Sequence, residues 1–240
     1  MSTARFFCPT PLQAHQRIEL PEPLAHHALR VLRLPTGSDI VLFDGRGGQF
    51  TAVLHTEGRQ AWAVLGAHAP IERELTGQIT LVQGIAAGDK MDWIIEKAVE
   101  LGVHRVIPVA ADRSVLRLAG PRLEKRMAHW RAVIQAASEQ SGRNRLMHLE
   151  APQTLANSLT QVSGHLVFCH PDASQDFATA LRSVDKTLTL LVGPEGGWSE
   201  AELATADRVG ITPVQFGLRV LRTETAGLAM AAAATALLAW

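Results

Sequence analysis

The apolar positions of this chain follow two rhythms. Between residues 39 and 68 they alternate with polar ones in three short runs, "DIVLFDG" (39–45), "GQFTAVLHT" (48–56) and "QAWAVLGAH" (60–68), separated by glycine or charged turns. Alternation of this kind predicts half-buried strands of a small antiparallel barrel. "LAHHALRVLRL" (24–34) interrupts the strands as one short helix. "PIERELTG" (70–77) is polar and holds both proline and glycine, which sets a domain boundary there, with a barrel over 1–72 and a second domain over 73–240.

Beyond the boundary, strand and helix patterns take turns. "ITLVQGI" (79–85), "VHRVIPV" (103–109), "HLVFCH" (165–170), "TLTLLVG" (187–193) and "TPVQFG" (212–217) read as strands with helices between them. "KMDWIIEKAVELG" (90–102) carries Met91, Ile94, Ile95, Ala98 and Leu101 on one stripe, and the helix over 121–142 opens with proline, closes with glycine and turns Leu123, Met127, Trp130, Ile134 and Ala137 inward. The fold class is therefore α/β with a mainly parallel sheet. The last sixteen residues, "TAGLAMAAAATALLAW", fall short of the roughly 20 needed to cross a bilayer. They predict a helix buried on nearly all sides, and no membrane span.

Composition changes this picture little, and charge changes it more. At 240 residues and 47% hydrophobic content the chain can bury an ample core. Cys8 and Cys169 stand far apart with no CxxC, so neither a disulfide framework nor a zinc knuckle is expected. No HExxH or other His/Cys ligand set occurs, and no metal is expected. The start "MSTARFFCPTPLQ" has no apolar run of export-signal length, so the expected location is the cytoplasm. Lys plus Arg and Asp plus Glu both number 23, yet residues 88–145 hold 11 basic against 7 acidic side chains. Within 113–145 the basic set is Arg113, Arg117, Arg122, Lys125, Arg126, Arg131, Arg143 and Arg145, against Glu124 and Glu139. Such local bias can build a nucleic-acid face on a neutral protein, or simply a solvated helix.

The candidate chemistry lies in two glycine-bearing junctions. "TLLVG" runs into "PEGGWSEAEL", where Ser199 and Glu202 match a capping box and leave Gly193, Pro194, Gly196 and Gly197 as the loop. "VQFG" runs through "LRVLR" into the final helix near Thr223. Ligands of open parallel sheets bind at such strand ends, and bare glycine backbone lets a ligand press against N–H and C=O groups. The nucleotide fingerprints GxxxxGK[ST] and GxGxxG are missing, which argues against a P-loop kinase or a Rossmann dehydrogenase.

"GPEGG" (193–197) with "GLRVLRTETA" (217–226) resembles the cofactor-binding pair of the SPOUT methyltransferases. More narrowly the chain resembles the family that methylates N3 of uridine 1498 in 16S ribosomal RNA. "HHALRVLRL" (26–34), "KMDWIIEKAVELGV" (90–103), "DRSV" (112–115) and "EQSGR" (139–143) stand in that family's order, so the likeness spans essentially the whole chain. Phe216 departs from it, where a smaller aliphatic residue is expected. The resemblance implies a C-terminal SPOUT-type parallel sheet with a trefoil knot behind a PUA-like barrel, S-adenosylmethionine as cofactor, 16S ribosomal RNA in the small subunit as partner, and a homodimer paired through the final helix.

It also implies residues. Val192, Gly193, Pro194, Glu195, Gly196 and Gly197 would form one wall of the cofactor site, with His170 as a further wall. Phe216, Gly217, Leu218, Leu221, Arg222, Thr223 and Ala226 would form the other, and valine at Gly196 would exclude the cofactor sterically. Arg222 would steady the uracil anion; Glu224 would accept the proton or favour the helix N-terminus. Arg5, His26, Arg30, Arg33, Lys90, Arg113 and Arg143 match charged motif positions and would contact RNA. The alternatives are a SPOUT enzyme acting on another ribosomal or transfer RNA nucleoside, and a non-catalytic RNA-binding factor of ribosome assembly.

Overall fold

The computed structural model describes residues 3–58, 60–116, 119–211 and 213–240, which leaves Arg117 of the basic cluster and Thr212 of the predicted last strand outside the described residues. The chain divides into two units. The first runs to Glu74 and includes Ser138–Leu146; the second holds Leu75–Ala137 and Met147–Trp240.

In the first unit, β1 (Ala4–Phe7), β2 (Arg17–Glu19), β3 (Asp39–Phe43), β4 (Gln49–Glu57) and β5 (Gln60–Ala69) form one sheet in the order β1-β3-β4-β5-β2. The three alternating runs supply β3, β4 and β5, paired antiparallel as expected. β1 departs by pairing parallel to β3, because β2 and a helix lie between them and give the crossover that a parallel pair requires. That helix, α1 (Glu22–His26), carries a proline in its first turn and continues as a π-type turn over His27–Val31. Inward residues of alternating strands, among them Phe6, Ile40, Leu42, Leu54 and Leu65, make the core. His27 meets the Phe6 ring edge-on at 5.6 Å, a packing role.

Ser138–Leu146 is joined to this sheet by polar contacts. The Phe7 N–H donates to Glu139 (2.9 Å), Arg5 donates to Asn144 (2.7 Å), and Asn144 Nδ2 donates to the Ile71 carbonyl (2.6 Å). Arg143 pairs with Glu74 at 2.6 Å and is only 3% exposed. The "EQSGR" motif is thus a structural clasp, and the expectation of an RNA contact at Arg143 is corrected: its guanidinium is buried on a carboxylate.

The second unit is a seven-stranded sheet, parallel at every pairing. In chain order it comprises β6 (Gln78–Gly84), α2 (Lys90–Glu100), β7 (Arg105–Val109), α3 (Gly120–Ser141, which ends in the first unit), β8 (His148–Leu149), α4 (Leu155–Leu159), β9 (His165–Cys169), β10 (Gln175–Asp176), α5 (Phe177–Ala180), β11 (Thr187–Val192), α6 (Glu200–Arg208), β12 (Pro213–Gln215) and α7 (Thr223–Leu237). The strand order is β10-β12-β9-β11-β6-β7-β8. Val82, Leu191, Val167, Leu190 and Ile107 are fully buried, as strands covered on both faces must be. On α2 the inward stripe is Met91, Ile94, Ile95, Ala98 and Val99, with Leu101 only half-buried; on α3 Leu123 is likewise half-buried while Met127, Trp130, Ile134 and Ala137 are buried.

α7 is buried on one side within the chain. It packs on α2, β6 and β11 through Ala226, Gly227, Met230, Ala231 and Ala234, but Thr225, Ala232, Ala236 and Leu237 face outward. No helix among the described residues is long and apolar enough to cross a membrane.

Candidate functional site

β9, β11 and β12 deliver their carboxyl ends to one place because β9 lies between β11 and β12 in the ladder. The turns after them surround a cavity of about 580 Å³. β11 continues into Gly193 and Pro194; the Gly197 N–H donates to the Pro194 carbonyl (2.9 Å) and closes a four-residue turn with Gly197 at φ 69°. Ser199 then starts α6. Its hydroxyl accepts from the Glu202 N–H, and the Glu202 carboxylate accepts from the Ser199 N–H, the reciprocal cap expected from sequence. The other Glu202 oxygen accepts from the Asp112 N–H at 3.1 Å, which ties the loop after β7 to the same corner.

A hydrogen-bonded chain joins the two glycine loops. Gln83, fully buried at the end of β6, donates through Nε2 to Thr223 Oγ1 (2.9 Å), and Thr223 donates to the Gly193 carbonyl (2.6 Å). The first residue of α7 is thereby held against the loop after β11. Gly84 makes that approach possible: a Cβ there would lie 2.4 Å from the Pro194 nitrogen and 2.8 Å from the Gly193 carbonyl carbon.

Lys90 closes one side. Its ammonium stands 2.9 Å from Glu195 and 3.5 Å from Glu224, and Glu195 also accepts the Ala87 N–H at 3.0 Å. Burial pushes the Glu195 carboxyl up, but the hydrogen bonds from Lys90 and the Ala87 amide outweigh it and leave its pKa below the usual 4.5. Lys90 is raised above 10.5, foremost by its hydrogen bond to Glu195. The carboxylate's contribution to stability is therefore present above its ordinary range and lost as pH falls through the depressed folded value. The ammonium's is present below its ordinary range and lost as pH rises through the raised one. The clasp stays intact across the neutral range.

The expected cofactor residues His170, Val192, Gly193, Pro194, Glu195 and Gly197 line the cavity, as do Phe216, Gly217, Leu221, Arg222, Thr223 and Ala226. Two do not. Leu218 is 92% exposed, and Gly196 faces away: a Cβ there would meet Arg113 Cβ at 3.0 Å and the Arg113 carbonyl at 3.2 Å. A valine at 196 would therefore press on Arg113 and not on the cavity. Phe216 keeps its place in the wall by an edge contact with Phe177, ring centroids 5.4 Å apart.

Sequence reading missed Cys169, Leu203 and Arg219 as lining residues, and Gln83 and Gly84 as supports. Trp198 packs on Phe168 and is 5% exposed, a loop anchor, yet its buried Nε1–H has no partner among the described residues. Burial pushes the Cys169 thiol above its usual 9.0, so it stays protonated and is a poor nucleophile.

Of the expected RNA residues, His26, Arg30 and Arg33 are exposed on the first unit, whereas Arg5 is half-buried and engaged with Gln49 and Asn144. Lys90 and Arg113 line the cavity, Lys90 committed to two carboxylates and Arg113 reaching the Gly196 carbonyl at 3.3 Å. No three His, Cys, Asp or Glu side chains gather as a metal group among the described residues.

The cavity suits S-adenosylmethionine. Its volume falls within the roughly 300–1,000 Å³ of small-ligand sites. Val192, Leu203, Phe216, Leu221 and Ala226 give apolar walls for a flat base, and glycine backbone, carboxylates and the free Trp198 N–H give polar partners.

A family profile described as an RNA methyltransferase domain matches residues 73–235, and one described as an RNA methyltransferase PUA domain matches residues 20–64. The chain is similar to a ribosomal RNA small subunit methyltransferase E of Bacillus subtilis, 33% identical over 85% of this chain and 83% of the relative. Among solved structures, it resembles a ribosomal RNA small subunit methyltransferase E from Neisseria gonorrhoeae bound to S-adenosylmethionine, with TM-score 0.90, 34% identity and 98% of each chain covered. A Legionella pneumophila protein in complex with the same cofactor superposes at TM-score 0.93, with 30% identity and 98% of each chain covered.

Proposed function

Because this chain belongs to the ribosomal RNA small subunit methyltransferase E family, we propose that it methylates N3 of uridine 1498 in 16S ribosomal RNA with S-adenosylmethionine as donor. The observation that carries the reading is the cavity formed by the two glycine loops and bound together through Gln83, Thr223 and Gly193. The cofactor, when bound, supplies an electrophilic methyl group on a sulfonium sulfur. Gly193, Pro194, Gly197 and Leu221 would hold it, and the Trp198 N–H would find its missing acceptor there.

Uracil N3 must lose its proton as it gains the methyl carbon, and negative charge then spreads onto O2 and O4. Arg222, exposed at the N-cap of α7 and lining the cavity, would steady that charge. Glu224 has a different task. It sits in the first turn of α7 at 3.5 Å from Lys90, where a carboxylate supports the helix by about 0.3–1 kcal/mol. A Glu224→Gln protein is accordingly expected to keep kcat within about threefold, because a general base contributes about 10²–10⁴. Single-turnover methylation checks this, and a drop beyond about a hundredfold would make Glu224 the proton acceptor. The protonated thiol of Cys169 gives no support to a covalent enzyme–uracil route.

The substrate places the reaction where small subunits are assembled, in the cytoplasm. The knot implied by the family, α7 threaded through a preceding loop, belongs to the same reading, as do the barrel over 1–72 and the catalytic domain over 73–240. The outward face of α7, with Ala232, Ala236 and Leu237, supports a twofold dimer. Light scattering at micromolar concentration should give twice the 25.9 kDa chain mass, and a monomer mass would count against pairing. The functional reading itself is tested by labelled-cofactor transfer to small subunits followed by nucleoside digestion. Label in 3-methyluridine is expected; label in another nucleoside would favour a different target for the same fold.

A further inference from the structure

We propose that the basic face of α3, from Arg122 to His129, is a track for the RNA sugar–phosphate backbone that leads to the cavity; this rests on the methyl-transfer reading of that cavity. At 3.6 residues per turn, Arg122, Lys125, Arg126 and His129 fall within roughly 100° of the helix surface. The buried side of α3, Met127, Trp130, Ile134 and Ala137, lies on a separate sector, and Glu124 and Arg131 sit on the far flank. Continuing the basic sector toward the C-terminus, Ala132, Val133 and Ala136 offer only small side chains. A phosphate chain can approach closely there; of the α3 carboxylates, Glu124 lies on the far flank and Glu139 is engaged by the Phe7 N–H.

α2 holds the basic face in place and the sheet brings it to the cavity's edge. Asp92 accepts from Arg126 (3.4 Å), from His129 (2.8 Å) and from the indole of the buried Trp130 (2.9 Å). α3 follows β7 and so opens at the carboxyl edge of the parallel sheet, the edge that the cavity occupies, where Arg113 and Arg222 continue the positive charge. Asp92 neutralises part of Arg126 and fixes α3 in place, which leaves the exposed Arg122 and Lys125 as the cations directed at phosphate. Phosphate contacts position a nucleic acid without reading its sequence, the role a track flanking a single target base requires.

The test is a doubly substituted Arg122→Gln, Lys125→Gln protein, with Arg131→Gln on the far flank as control, assayed for small-subunit binding by filter retention and for methyl transfer. The double variant is expected to raise KM for subunits about tenfold with kcat unchanged, and to flatten the salt dependence of binding by roughly 1.4–1.8 log units per log unit of salt, at 0.7–0.9 per phosphate contact. Its affinity for S-adenosylmethionine in calorimetry is expected to match wild type, as is the behaviour of the Arg131 control. A double variant with wild-type KM and salt slope would overturn the track and leave the functional reading standing. Equal losses in the Arg131 control would also overturn it, as a general charge effect. Wild-type protein that binds subunits through Arg122 and Lys125 but transfers no methyl group would overturn the functional reading and keep the track.

Discussion

A Gly84→Val protein is expected to lose S-adenosylmethionine binding by at least about a hundredfold, or roughly 2.7 kcal/mol. A Cβ at this position would meet the Pro194 nitrogen at 2.4 Å and the Gly193 carbonyl carbon at 2.8 Å, and these two atoms belong to backbone that cannot rotate away. β6 is held by β11 on one side and β7 on the other, with Gln83 paired to Val192 and Gly84 to Val109. Relief must therefore come from the loop after β11. Moving that loop outward breaks the Thr223 contact to Gly193 and withdraws the wall from Val192 to Gly197. Overpacking of this kind costs about 1–3 kcal/mol in stability as well, so thermal melting accompanies the titration. A folded Gly84→Val protein with wild-type affinity would remove the glycine loop from the cofactor site. Gly84→Ala, with less to accommodate, is expected to fall between the two.

An Arg222→Gln protein is expected to lose about 10²–10³ in kcat, the usual cost of deleting one donor to a developing oxyanion. Cofactor affinity should change by less than about threefold on the same argument, since a cation aimed at charge that appears only during reaction contributes little before it. The backbone of Arg222 continues to serve as the N-cap, where its carbonyl accepts the Thr225 and Ala226 N–H groups. The deficit should shrink as pH rises and free uracil N3 ionises, because the variant lacks the group that favours the anion. A pH-independent deficit of the same size would instead mark Arg222 as a positioning residue.

Much of the fold was legible because parallel strands buried on both faces read as continuous apolar runs, and because Ser199 with Glu202 is a local signal that needs no tertiary context. β1, β2, β8 and β10 were not predicted. Each is two to four residues long, and so short a run carries no period. The glycine loops were visible in "GPEGG" and "LRTETA", but the direction in which each glycine faces was not. Gly196 and Gly84 exchange roles for that reason: the first meets Arg113, and the second, outside any quoted loop, makes the close approach. Gln83 did leave a trace, a lone polar residue within "ITLVQGI" that had to find a partner if buried. Arg143 misled because a motif arginine looks the same whether it meets a phosphate or, buried, the carboxylate of Glu74.

The most direct measurement supplies purified protein and S-adenosylmethionine to small ribosomal subunits from a strain lacking the modification, then maps reverse-transcription stops along 16S RNA. An N3 methyl group blocks base pairing, so the account predicts a new stop at uridine 1498 that requires the cofactor and is lost with Gly84→Val. Cofactor binding without any stop at that nucleotide would contradict it.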